Sequence, residues 1–121
     1  MKIMITSQSK ELSSQVDPRF GRAKYFILYD TESGQWEAID NVQNLNAIQG
    51  AGIQAAENVV NKGAEYVLTG HCGPKAFRTL SANGINIITG VDGAVSDAVE
   101  RFKRGEFKIS QESDVEGHWT S

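Results

Sequence analysis

The 121-residue chain holds a single cysteine, Cys72, so it can form no internal disulfide and cannot build a zinc or iron–sulfur site from several thiolates of its own. It has no surplus of positive charge either. Twelve basic side chains face fifteen acidic ones, and Glu112, Asp114 and Glu116 fall in the last dozen positions with no Lys or Arg beside them, which leaves the body of the chain neutral. That speaks against a general nucleic-acid binder, which carries a net basic surface. Long apolar runs are missing as well. The longest, Tyr25 to Tyr29, falls far short of the ~20 residues that span a bilayer. With no cleavable signal pattern at the N-terminus, the expectation is a soluble, cytoplasmic protein without a membrane partner.

What the chain does contain is enough for one domain. A chain of this length can hide roughly two-thirds of its unfolded surface, so a 40% hydrophobic content supports a core without staples. Strand-like runs occur at Lys2 to Thr6, Tyr25 to Asp30 and Gln35 to Asp40, and the short gap from Thr31 to Gly34 makes the last two a hairpin. The rhythm then changes. Ala51, Ala55, Ala56, Val59 and Val60 recur at helical spacing, and Gly63 follows as a stop.

A strand from Glu65 to Thr69 opens a weak internal repeat, in which Tyr66-Val-Leu-Thr-Gly-His-Cys-Gly73 is echoed by Asn86-Ile-Ile-Thr-Gly-Val-Asp-Gly93. Each unit reads as strand, Thr-Gly-x-x-Gly, helix. Pro74 suits the first turn of the second helix, which carries Ala76, Phe77 and Leu80 on its buried face; Ala94, Val95, Ala98, Val99 and Phe102 do the same for the third. Gly84 and Gly105 are the matching stops. Two tandem β-α units imply parallel strands and right-handed crossovers. The expected order is β-β-β-α-β-α-β-α, a three-layer α/β domain over residues 1–109, followed by a polar, acidic tail from 110 to 121 that is expected to be mobile.

Ligands of open α/β sheets gather beyond the carboxyl ends of the parallel strands, so the loops after Thr6, Thr69 and Thr89 mark the candidate edge. The first of these loops, Ser7 to Lys24, contains Asp17-Pro18-Arg19-Phe20-Gly21-Arg22. Arg19, Arg22 and Lys24 lie within six positions, and Lys75 and Arg78 open the helix after Cys72. Convergence of these loops would gather five cations on one edge. The plainer reading is that they are solvated side chains and that Asp17 pairs with Arg19 or Arg22. Gly70-His71-Cys72-Gly73 sits between a strand and a helix N-terminus, where free amides and the helix dipole favour an anion and lower a thiol pKa. His71 and Cys72 could supply one borderline and one soft metal ligand. Gly50-Ala-Gly52, ahead of the first helix, would let backbone amides approach an anion, although close helix packing explains those glycines equally well.

Taken together, the N-terminal strand ending in Ser7, the Asp17-to-Arg22 segment running into Tyr25-Phe26-Ile27, the Gly50-Ala51-Gly52 helix start and the stretch Gly70 to Gly73 resemble the dinitrogenase iron-molybdenum cofactor biosynthesis family. The match spans residue 1 to about 107. The resemblance implies a ribonuclease H-like α/β fold with a five-stranded mixed sheet. It also implies a cargo, an anionic metal-sulfur cluster: an iron-molybdenum cofactor precursor, or a mixed molybdenum-copper sulfide. Ser7, Arg19, Phe20, Gly21, Arg22, Gly50, Gly52, Gly70, Gly73 and Lys75 would then cradle the cluster, and His71 or Cys72 would contact a metal. Many members look as if they carry a histidine where this chain has Gln49, which moves the weight onto His71 and Cys72.

Such a cluster brings its own bridging sulfides and negative charge, so cations, amides and one or two side chains suffice to hold it. The first strand carries no carboxylate, so the acidic metal site of a nuclease is missing. A flavodoxin-like enzyme with Thr6-Ser7-Gln8-Ser9 as a phosphate loop would need a helix directly after the first strand, where the Pro18 and Gly21 loop stands instead. The expectation is therefore a carrier and not an enzyme, a monomer or weak homodimer that meets cluster-assembly or acceptor proteins. A protein-interaction or regulatory module using the same basic edge is the second class.

Overall fold

The computed structural model describes residues 1–43, 46 and 50–113. Gln49, the tail from Asp114 and Trp119 within it lie outside the described residues. The elements run β1 (Lys2–Ser7), β2 (Tyr25–Asp30), β3 (Trp36–Asp40), α1 (Ala51–Asn61), β4 (Tyr66–Leu68), α2 (Pro74–Ala82), β5 (Asn86–Ile88) and α3 (Val95–Lys103). They form one five-stranded mixed sheet in the spatial order β3-β2-β1-β4-β5. β1 lies antiparallel to β2 and parallel to β4, β2 is antiparallel to β3, and β4 is parallel to β5.

Period-two alternation in the strands divides the core between the two faces of this sheet. Met4, Phe26, Leu28, Val67 and Ile87 pack under α1 and α2, against Ala55, Ala56, Val59, Ala76 and Leu80. Ile3, Ile5, Ile27, Leu68 and Ile88 point the other way and meet Val95, Ala98 and Val99 of α3. The result is three layers. Gly63, Gly84 and Gly105 all adopt positive φ, between 72° and 75°, and each donates its N–H to a carbonyl three residues back in the helix it ends.

Element ends differ slightly from the sequence reading. β3 starts at Trp36, because the carbonyl of Gln35 closes the hairpin turn by accepting from Asp30 N–H at 2.9 Å. Ala94 is the N-cap of α3, not part of its buried face. Ser110, the first residue of the expected tail, is tied to the free side of β5: its N–H donates to Ile87 O at 2.7 Å, and its hydroxyl accepts from Thr89 N–H at 3.2 Å. No helix among the described residues is long and apolar enough to cross a membrane.

Candidate anion-binding edge

The long loop after β1 is stitched down by its own backbone. Gln8 N–H donates to Gln15 O at 3.1 Å and Val16 N–H to Gly93 O at 2.8 Å. The carbonyls of Ser14 and Leu12 accept from Val95 N–H at 2.8 Å and Ser96 N–H at 2.9 Å, and so cap α3, which has no side-chain cap. Ser7 belongs to this local architecture. It is fully buried and its hydroxyl donates to Ser9 O at 2.6 Å, within a serine cluster completed by the Ser9–Ser14 hydroxyl contact. Its side chain is therefore engaged inside the loop rather than offered at the edge.

Beyond Val16 the loop turns toward β4. Thr6 Oγ1 donates to Asp17 O at 2.7 Å and accepts from Thr69 Oγ1 at 2.9 Å, so buried hydroxyls join the ends of the two central strands to the loop. Asp17 is 7% exposed. Its Oδ1 accepts the N–H of Arg19 at 3.0 Å, an Asx turn that shapes the Asp-Pro-Arg corner. Asp17 therefore caps a turn and leaves the arginine heads unneutralised: among the described residues no carboxylate lies within ion-pair distance of Arg19, Arg22 or Lys24.

The segment 18–20 then runs parallel to 70–72. His71 N–H donates to Pro18 O at 2.7 Å and Phe20 N–H donates to His71 O at 3.1 Å, which makes Arg19 and His71 bridge partners. Partners in a parallel bridge send their side chains to the same side, and the next pair points the opposite way. Arg19 and His71 accordingly stand exposed together, while Phe20 and Cys72 are buried together, at 1% and 0% exposure, in the core beneath α2. The expectation that Cys72 stands at the edge is not met. Its sulfur faces the interior, 3.8 Å from Gly73 O, because strand alternation gives the outward position to its neighbour.

The glycines act by close approach. A Cβ at Gly70 would stand 2.6 Å from Pro18 Cα and 2.7 Å from Pro18 O. One at Gly21 would lie 3.0 Å from both Cα and N of Gly52, and one at Gly52 would lie 3.3 Å from the Ala76 Cβ of α2. Gly21, Gly52 and Ala76 thus form a continuous contact through loop, α1 and α2. Gly50 and Gly73 are the N-caps of α1 and α2, and neither helix has a side-chain cap or an acidic residue in its first turn. Two helix N-termini with positive partial charge therefore sit side by side behind the loop.

Arg19, Arg22 and Lys24, with Gln8, Asp17 and Pro18, line an open depression of about 450 Å³, many times the ~30 Å³ share of one water molecule. It has room for a polyatomic anion. Lys75 is exposed in the first turn of α2 and Arg78 is exposed one turn on; neither lines this depression, so the structure gathers three of the five expected cations here. Among the described residues no three His, Cys, Asp or Glu side chains group as a metal site. Residues that composition and motifs did not single out complete the edge. Asn41 Nδ2 donates to Ala23 O at 2.8 Å, Gln43 Nε2 donates to Gly21 O at 2.8 Å, and Asn58 Nδ2 donates to Asn41 Oδ1 at 2.9 Å. For Asn41 and Gln43, only their place just after a predicted strand could have drawn notice.

A family model described as dinitrogenase iron-molybdenum cofactor matches residues 1–105, which takes in every element and loop of this edge. The chain belongs to this family. The chain is similar to the orange protein of Desulfovibrio gigas, whose solved structure is the apo form: 38% identity, 93% of this chain and 95% of that one covered, TM-score 0.88. It is also similar to the solved structure of a putative NifB protein from Thermotoga, at 37% identity with 89% and 91% of the chains covered and a TM-score of 0.75. An uncharacterized protein of Methanocaldococcus jannaschii is 24% identical over 110 residues, 89% of this chain and 90% of that protein. For a member of the dinitrogenase cofactor family, the paired helix N-termini and the arginines with no carboxylate partner among the described residues are the features to be explained.

Proposed function

We propose that this protein binds and carries an anionic metal-sulfur cluster of the kind the family implies, an iron-molybdenum cofactor precursor or a molybdenum-copper sulfide, at the edge formed by Arg19, Arg22, Lys24 and His71. The observation that supports the reading is the Arg19–His71 backbone bridge, whose two exposed partners share one side of the strand pair, beside two helices with no acidic residue in their first turn. The guanidinium groups would balance the charge of the cluster, and the Gly50–Gly52 and Gly73 amides would donate to its sulfides. His71 is the exposed side chain of the pair and would be the one to contact a metal; Cys72, buried, would need the 18–20 and 70–72 segments to part. Ser7, Phe20, Gly21 and Gly70 serve the site by shaping the loop. Lys75, exposed at the start of α2, would extend the positive field.

The role is that of a cytoplasmic carrier rather than a catalyst, and its partners would be proteins that assemble or accept the cluster. The sheet supports a ribonuclease H-like reading, since β1, β3, β4 and β5 all run parallel and β2 alone is reversed. Anaerobic reconstitution with sulfide and molybdate, copper or iron tests the proposal. A visible charge-transfer band with bound metal is the expected result. A colourless, metal-free protein would leave the interaction-module reading in its place.

A further inference from the structure

Gln43 follows β3, carries no charge and does not line the depression. Its Nε2 nevertheless donates twice, to Gly21 O at 2.8 Å and to Ala51 O at 3.1 Å. One amide group therefore joins the cationic loop to the first residue of α1. The neighbouring bonds run the same way. Asn41 N–H donates to Lys24 O at 3.0 Å and its Nδ2 to Ala23 O, while Asn58 of α1 donates to Asn41 Oδ1 and Val42 O, both at 2.9 Å. Every loop residue from Gly21 to Lys24 except Arg22 is thereby held through its carbonyl by the segment 41–43. Arg22, between these anchors, keeps its side chain for the depression.

We infer that Gln43 is a positioning residue of the anion-binding edge, one that holds Gly21 against Gly52 and so fixes Arg19 and Arg22 relative to the amides of α1. The inference rests on the proposed function for its ligand, but not for its geometry. Because both acceptors are carbonyl oxygens, only a donor group of this length fits between them. Glutamate at the position would oppose two lone pairs with its own, and methionine would fill the space with no proton to give.

The test uses the full chain with Gln43→Glu and Gln43→Met, titrated with tetrathiomolybdate as a discrete anionic metal sulfide. Binding should weaken on the order of tenfold, the cost of ordering about one backbone residue on binding. The salt dependence should become shallower as fewer cations engage. Amide exchange at Phe20 and Arg22 in the ligand-free protein should quicken by a similar factor. An unchanged affinity and unchanged exchange in the methionine variant would overturn the inference, and that variant decides the matter if the glutamate variant fails to fold. Should the wild-type protein bind no tetrathiomolybdate, the proposed function fails, while the exchange rates still decide whether Gln43 positions the loop.

Discussion

Replacing Gly70 by alanine probes the junction on which the edge depends. The added Cβ would stand 2.6 Å from Pro18 Cα, 2.7 Å from its O and 3.0 Å from its C, and all three are backbone atoms with no rotamer by which to withdraw. The loop must move, and the hydrogen bonds His71 N–H to Pro18 O and Phe20 N–H to His71 O go with it. Two lost backbone bonds cost about 0.5–1.5 kcal/mol each. Forced overpacking adds about 1–3 kcal/mol, and the stiffer unfolded chain of alanine returns about 0.4–1 kcal/mol. The net loss is about 3 kcal/mol, and at about 4 °C per kcal/mol for a domain of this size the melting midpoint should fall by about 12 °C. Two controls isolate the cause. Gly50→Ala, at an ordinary φ with nothing within 4 Å of its Cβ, should lose no more than about 1 kcal/mol, since alanine is a poorer N-cap than glycine but stiffens the unfolded chain. Gly90→Ala, at the equivalent place in the repeat but with φ +75° and open space around it, should lose about 1–2 kcal/mol from backbone strain alone. Thermal melts of the three variants, followed by circular dichroism, supply the comparison. If Gly70→Ala melts with Gly50→Ala, the close approach to Pro18 does not exist and the reasoning fails.

The double change Arg19→Gln with Arg22→Gln should weaken tetrathiomolybdate binding by about tenfold or more per arginine, given ~1.5–3 kcal/mol for a charge-assisted hydrogen bond, and should flatten its salt dependence. Unaltered binding as salt rises would remove the electrostatic cradle from the account. Cys72→Ser should destabilise the fold by about 1–3 kcal/mol by burying a hydroxyl, yet leave the reconstituted spectrum as it was, whereas His71→Ala should change the spectrum. Loss of the band in a well-folded Cys72→Ser protein would instead make the thiolate a ligand. Far from the site, the Asp30 carboxyl lies below its ordinary value chiefly because Glu32 N–H donates to it at 2.9 Å. A carboxyl lowered in the folded state contributes stability above its unfolded pKa and loses it as pH falls through the folded value, so Asp30→Asn should reduce the acid sensitivity of the melt. An ordinary pKa for Asp30 in an NMR titration would contradict this.

Local signals reported the local structure well. The stops at Gly63, Gly84 and Gly105 could be read because glycine takes positive φ at little cost, and all three do so. The strand-like run of β1 and the helical spacing of Ala55, Ala56 and Val59 announced buried elements for the same reason: each pattern reflects one element. Features made by distant segments were harder. Nothing local says that residues 18–20 lie beside 70–72, and that pairing decides that His71 looks out while Cys72 looks in. The Thr-Gly-x-x-Gly repeat likewise hides two solutions, since Gly90 is needed for its positive φ and Gly70 for the approach of Pro18. The cations could be counted from the chain, but Asp17 turning its carboxylate to the Arg19 backbone depended on the folded corner. Gln43 offered no motif at all, because its role exists only where Gly21 and Ala51 meet.

Metal and sulfide analysis of the protein purified without oxygen bears most directly on the central claim. Wild-type protein should hold a molybdenum-containing or iron-containing sulfide with visible absorption, and the Arg19→Gln, Arg22→Gln variant should lose it at moderate salt. Protein that emerges colourless and metal-free, and stays so after reconstitution, would contradict the claim.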